Sequence, residues 1–190
     1  MVRGLKVTTR SPEETRTLGA ALAPFLLPAD VISLSGDLGA GKTVFVQGLG
    51  AALGVREQIT SPTFTLLNQY EGRYQILHLD VYRLDSFQEV LDLGFEELLD
   101  PNAVLVVEWG EAVTPLLPTR HLRIDLHRSE ELGDSERDVI FVPHGPEWIR
   151  KVQEMRITAE ALLNALSVDG SDTHRFVETT LTPARDHRTP

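Results

Sequence analysis

Residues 31–43 read Val-Ile-Ser-Leu-Ser-Gly-Asp-Leu-Gly-Ala-Gly-Lys-Thr. The first five run apolar and alternate, as a buried strand does. Gly36 follows, then four residues, then Gly41-Lys42-Thr43, which completes the phosphate-binding pattern Gly-x-x-x-x-Gly-Lys-Ser/Thr. The context is the required one, with a β-branched strand before and a helical run, Val44 to Leu53, after. Glycines let the backbone curl so that its N–H groups face phosphate oxygens, and the helix adds its positive end. Asp37, Leu38, Gly39, Ala40, Gly41, Lys42 and Thr43 are therefore the expected nucleotide-binding residues. Lys42 is expected to reach the β- and γ-phosphates and Thr43 to hold Mg²⁺. A glycine-rich strand–helix turn that binds nothing is the plain alternative.

Working outward, the 190 residues suit one domain, and 42% hydrophobic content is enough for a sizeable core. A formal net charge of −10 disfavours direct gripping of a nucleic-acid backbone, which needs clustered Lys and Arg. With no cysteine, disulfides, thiolate catalysis and Cys-ligated zinc are excluded. Met1 to Arg10 lacks an apolar secretion segment, and no apolar run approaches the roughly 20 residues of a membrane span. A soluble, cytoplasmic protein without membrane contact is expected.

The flanking chain alternates strands and helices. Residues 5–9 suit a first strand. Ser11-Pro12-Glu13-Glu14 starts a helix with a capping box, and Leu18, Ala21, Leu22 and Phe25 form its apolar face. A polar loop at 56–63 precedes two strands, 64–70 and 74–79, joined by Glu71-Gly72 as a hairpin. A helix is expected from Asp85-Ser86, capped by Ser86, with Val90, Leu91, Phe95, Leu98 and Leu99 on one face and Gly94 marking a break or a close contact. Residues 103–107 form a doubly buried strand. Late strands at 122–126 and 139–142 flank an acidic loop, 129–136, and a helix or helix pair spans 147–166. The pattern predicts a three-layer α/β fold of P-loop NTPase type with a mixed, mainly parallel central sheet. Residues 1–150 are the expected ATPase domain, 151–166 a helical extension and 167–190 a disordered tail.

A phosphate loop that hydrolyses needs a carboxylate at the tip of a neighbouring strand. Asp80 ends one strand and Glu108 another. Glu108 ends the more purely apolar one and is assigned to magnesium. Asp80 then remains to orient or deprotonate the attacking water, and the two roles are interchangeable on sequence grounds. A solvated strand-end acid, or a partner for Arg83, is the bland reading of each. Thr60-Ser61-Pro62-Thr63 occupies the place of a switch segment ordered by a γ-phosphate, against a Ser-Pro turn with ordinary hydroxyls. Trp109 either shelters the site or packs. His78, with no second histidine at ligand spacing, reads as structural. No Asn-Lys-x-Asp signals guanine, and no Arg-rich lid follows residue 110, so ATP with water as acceptor is the simpler chemistry. A small-molecule P-loop kinase and a nucleotide-binding module without turnover are the alternatives.

Four segments carry a family likeness: Gly36-Asp-Leu-Gly-Ala-Gly-Lys-Thr43, Ser61-Pro-Thr-Phe-Thr-Leu66, His78-Leu-Asp-Val-Tyr-Arg-Leu84 and Val107-Glu-Trp109, with Leu93-Gly-Phe-Glu-Glu-Leu98 as a weaker fifth. Together they resemble the TsaE (YjeE) family, bacterial ATPases of tRNA threonylcarbamoyladenosine synthesis, over about residues 5–150. The resemblance implies ATP and Mg²⁺ as cofactors and TsaD and TsaB as partners, with tRNA reached only through that complex. It implies that ATP hydrolysis cycles TsaD–TsaB through a conformational step, while other enzymes perform the carbamoyl transfer at position 37. It maps magnesium ligands onto Thr43 and Glu108, the catalytic aspartate onto Asp80 beside Lys42, and the switch threonine onto Thr63. It also brings the nucleotide base near the start of the first helix, at Ser11. Gly110 departs from the family pattern, which commonly has Pro or Ser after the Trp.

Overall fold

The computed structural model describes residues 2–84, 87–92, 94–129, 133–166 and 176–181. Its strands are β1 (Val2–Thr9), β2 (Val31–Ser35), β3 (Leu67–Tyr70), β4 (Gln75–Asp80), β5 (Ala103–Glu108), β6 (Leu122–Ser129), β7 (Gly133–Pro143) and β8 (Phe176–Leu181). The helices are α1 (Pro12–Leu22), α2 (Lys42–Ala52), α3 (Phe87–Asp92) and α4 (Pro146–Leu166). One eight-stranded sheet runs in the order β3-β4-β5-β2-β6-β7-β1-β8. Strands β4, β5, β2 and β6 are mutually parallel, and antiparallel pairs flank them on both sides. The expected mixed α/β sheet is therefore present, but it is not mainly parallel: among the described residues three parallel pairings form its centre and four antiparallel pairings flank them.

Two-residue periodicity divides the strands between two cores. Ile32 and Leu34 of β2, Val104 and Val106 of β5 and Ile76 of β4 face one side, where α1, α2 and α4 cover them. Val31, Ala103, Leu105, Val107, Leu77 and Leu79 face the other, with Val90 of α3, Phe95 and Val113. By the same alternation His78, Asp80 and Glu108 belong to the α2 face. Helices α1 and α2 pack backbone to backbone. A Cβ on Gly48 would come 1.9 Å from the Arg16 carbonyl oxygen, and one on Gly19 would come 2.2 Å from that of Phe45.

Several sequence expectations change. The boundary at residue 150 falls inside α4, a single helix whose Trp148, Val152, Met155, Ala159 and Leu163 are part of the main core. Lys151 of α4 and Asp30, both buried, form an ion pair at 2.6 Å that ties the helix to the turn before β2. Within the stretch expected to be a disordered tail, 176–181 adds a strand beside β1. Phe-Val-Glu-Thr-Thr-Leu, half of it β-branched, supplies enough strand character to extend an existing edge. The rest of 167–190 lies outside the described residues. The helix expected from Asp85-Ser86 stops at Asp92. Gly94 then takes a left-handed φ of 71°, and a 3₁₀ turn follows at Phe95–Leu98. Its cap at Ser86 lies outside the described residues. Phe64 stands before β3 rather than in it, because Thr65 and Leu66 both donate to the Pro62 carbonyl and Leu66 has a φ of 64°. The late hairpin is longer than expected, with β6 and β7 running into the acidic segment. No helix among the described residues is long and apolar enough to cross a membrane.

Candidate functional site

The site forms where the parallel strands end, beyond the carboxyl ends of β2, β4 and β5. The loop after β2 is built on three left-handed glycines: Gly36 (φ 129°), Gly39 (79°) and Gly41 (104°). Gly36 has a second constraint, since a Cβ there would meet the Leu126 carbonyl oxygen of β6 at 2.0 Å. Gly39 has open space beside it, and Gly41 is the residue that caps α2. Ala40 is buried, whereas Leu38 at the loop tip is 75% exposed. A loop of this shape offers its amides to an anion rather than to a side-chain cap.

Lys42, the first residue of α2, folds back into the loop. Its Nζ donates to the carbonyls of Gly36 (2.5 Å) and Asp37 (3.0 Å) and lies 3.8 Å from the centre of the Trp109 ring. Burial pushes the Lys42 ammonium below its ordinary pKa, and the carboxylates of Glu108, Glu111, Asp80 and Asp37 oppose that drop. Trp109 reaches this position through a left-handed φ of 63° immediately after β5, with the Tyr82 ring packed against it at 4.7 Å between ring centres and tilted by 37°. Gly110 explains itself here, because a Cβ would come 2.0 Å from Ser33 Oγ on β2.

Glu108 and Asp80 end adjacent parallel strands as register partners. Glu108 Oε1 accepts the Thr43 hydroxyl at 2.8 Å and faces His78 Nε2 at 3.0 Å. Asp80 Oδ2 accepts from Thr63 Oγ1 at 2.6 Å and Ser61 Oγ at 3.1 Å, and its Oδ1 accepts the Tyr82 amide at 2.9 Å. Ser61 and Thr63 lie 2.6 Å apart, so the loop 60–66 is latched to Asp80 through two hydroxyls. Its root is held separately. The Gln47 amide of α2 donates to the Ile59 carbonyl at 3.0 Å, and Tyr70 Oη accepts the Thr60 amide at 3.2 Å.

Of the residues expected from sequence, Lys42, Thr43, Asp80, Glu108 and Thr63 converge here. Ser11 caps α1, accepting from the Glu14 amide at 3.1 Å, while Glu14 accepts the Arg10 amide at 2.7 Å. The Ser11 hydroxyl is thus occupied as the cap, and Glu14 reaches back to the amide of Arg10, one residue before Ser11. The first turn of α1 nevertheless borders the loop, with Thr15 Cγ2 3.8 Å from the place a Gly41 Cβ would take. Arg83 lies over the exposed Phe64 ring at 4.2 Å. In the sequence Ser61 stands out only as part of the switch segment 60–63, Tyr70 as an ordinary strand residue and His78 as structural. The available signal was the strand period, which places residue 78 on the face of residue 80.

Thr43 and Glu108 offer one hydroxyl and one carboxylate oxygen 2.8 Å apart at the mouth of the loop. Hard oxygen donors of this number fit a magnesium ion that takes its other ligands from water and phosphate. A loop lined with amides and one lysine fits a phosphate chain.

The sequence profile of the family described as "Threonylcarbamoyl adenosine biosynthesis protein TsaE" matches residues 9–139. The chain is 37% identical over 155 residues to the tRNA threonylcarbamoyladenosine biosynthesis protein TsaE of Bacillus subtilis (strain 168), covering 81% of this chain and 95% of that protein. It is 42% identical over 135 residues to the TsaE protein of Treponema pallidum (strain Nichols), covering 71% of this chain and 98% of that one. The crystal structure of Bacillus subtilis YdiB superposes with a TM-score of 0.71 at 35% identity, over 83% of this chain and 97% of that one. With a profile match spanning the glycine loop, both strand-end acids and the latched loop, the chain belongs to the TsaE family of tRNA threonylcarbamoyladenosine biosynthesis proteins.

Proposed function

We propose that the protein is a Mg²⁺-dependent ATP hydrolase that drives a conformational step of a TsaD–TsaB complex in the cytoplasm. The observation that carries the reading is the joining of the Gly36–Thr43 loop to two strand-end carboxylates, one bonded to Thr43 and the other to the loop 60–66. In this account the loop amides and Lys42 bind the β- and γ-phosphates. Thr43 and Glu108 hold the magnesium ion, which when bound neutralises charge that builds on the phosphate oxygens. Asp80 orients the attacking water and takes its proton. Thr63 and Ser61, now bonded to Asp80, are the groups through which an occupied site alters the loop 60–66, and with it the exposed Phe64.

The net charge of −10 favours contact with protein partners over a direct grip on tRNA. Phosphate release from ATP, measured with Mg²⁺, is expected to be slow for the protein alone and to rise when TsaD and TsaB are both added. Robust phosphorylation of a small molecule, indifferent to those proteins, would instead identify a kinase.

A further inference from the structure

We propose that His78 is a positioning residue that fixes the carboxylate of Glu108 for its cation. The proposal rests on the reading of Glu108 as a magnesium ligand.

His78 lies in the middle of β4 and is completely buried. Its Nε2 stands 3.0 Å from Glu108 Oε1, the oxygen that also accepts the Thr43 hydroxyl. An ionised carboxylate only accepts, so Nε2 carries the proton of this bond. The other ring nitrogen, Nδ1, is buried without a hydrogen-bond partner. The side chain therefore sits where Ile76, Val104 and Val106 make the surrounding sheet face apolar, with one polar atom unsatisfied. On packing grounds an aliphatic residue would serve this position better. The arrangement makes sense if the Nε2–H bond to Glu108 is the purpose of the residue. Thr43 is expected to serve the cation as well, so its hydroxyl cannot be the sole restraint on Glu108. His78 holds the carboxylate from the interior side, independently of Thr43. Outer partners of metal-binding side chains commonly contribute about 10–100-fold to metal affinity.

The test titrates Mg²⁺ against binding of a fluorescent, non-hydrolysable ATP analogue to the full chain. It compares wild type with His78→Leu, His78→Gln, His78→Asn and Glu108→Gln. In His78→Leu the Mg²⁺ concentration at half effect is expected to rise by about 10–100-fold, with nucleotide binding in the absence of Mg²⁺ unchanged. Gln places an amide nitrogen at a reach similar to Nε2 and is expected to restore the midpoint to within a few-fold, whereas the shorter Asn is not. The Gln–Asn comparison keeps the test decisive if the Leu variant fails to fold. Equal midpoints for wild type and the Asn and Leu variants, with Glu108→Gln raised, would overturn the role of His78 while leaving Glu108 as ligand. An unmoved midpoint in Glu108→Gln would overturn the reading of Glu108, and the proposal with it.

Discussion

Lys42→Ala is expected to lower ATP turnover by about 10²–10³, the loss typical of removing one preorganised charge-stabilising donor. Nucleotide binding weakens with it, because the same ammonium faces the phosphates in both ground and transition states. The site shows why the loss is large. Nζ is buried among loop carbonyls and under the Trp109 ring, where a charge interacts more strongly than in water. Burial lowers the Lys42 pKa, and neighbouring carboxylates work against that shift. Phosphate charge acts in the same direction as the carboxylates, so the nucleotide is met by the ammonium form. Lys42→Arg is not expected to rescue, since a planar guanidinium does not fit a cradle of two carbonyls and one ring face. Isothermal titration with ATP and Mg²⁺, run beside phosphate release, reads both effects. A variant that binds and turns over like wild type would place the activity elsewhere.

Asp80→Asn is expected to behave differently. It removes the negative charge but keeps shape and one acceptor for the hydroxyls of Ser61 and Thr63. ATP affinity should stay within a few-fold of wild type. Turnover should fall by about 10²–10⁴, the range that a positioned general base contributes. The contrast with Lys42→Ala is the informative feature, because one residue is assigned to the phosphates and the other to water. Loss of binding with turnover per bound ATP preserved would reverse the assignments of Asp80 and Glu108.

Much of this site was legible in the sequence because its signals are local. The glycine loop has fixed spacing, and the geometry bears out why each glycine stands there: three left-handed φ angles and a close approach to Leu126. Asp80 and Glu108 were found because a strand that ends in an acid presents it at the edge where such sheets bind ligands. Contacts between distant segments were not legible. The His78–Glu108 bond joins residues 30 apart, and nothing in the sequence around His78 announces its partner. Tyr70 reads as an ordinary strand aromatic until the loop 56–63 folds over its hydroxyl. In the C-terminal third, α4 was recognisable as a helix. That it completes the main core, pinned by Lys151 to Asp30 across 121 residues, depends on tertiary packing. Strand β8 was missed for a similar reason. Its six residues lack an apolar alternation and form a strand beside the edge that β1 provides.

In the proposed mechanism Thr43 and Glu108 serve the cation while Asp80 serves the water. Anomalous diffraction from Mn²⁺ in crystals grown with a non-hydrolysable ATP analogue tests it most directly. The predicted result is a single manganese peak beside Thr43 Oγ1 and Glu108, with the phosphates on the Gly36–Thr43 loop and Asp80 out of contact with the metal. A peak coordinated by Asp80 instead of Glu108, or a nucleotide bound away from this loop, would contradict the account.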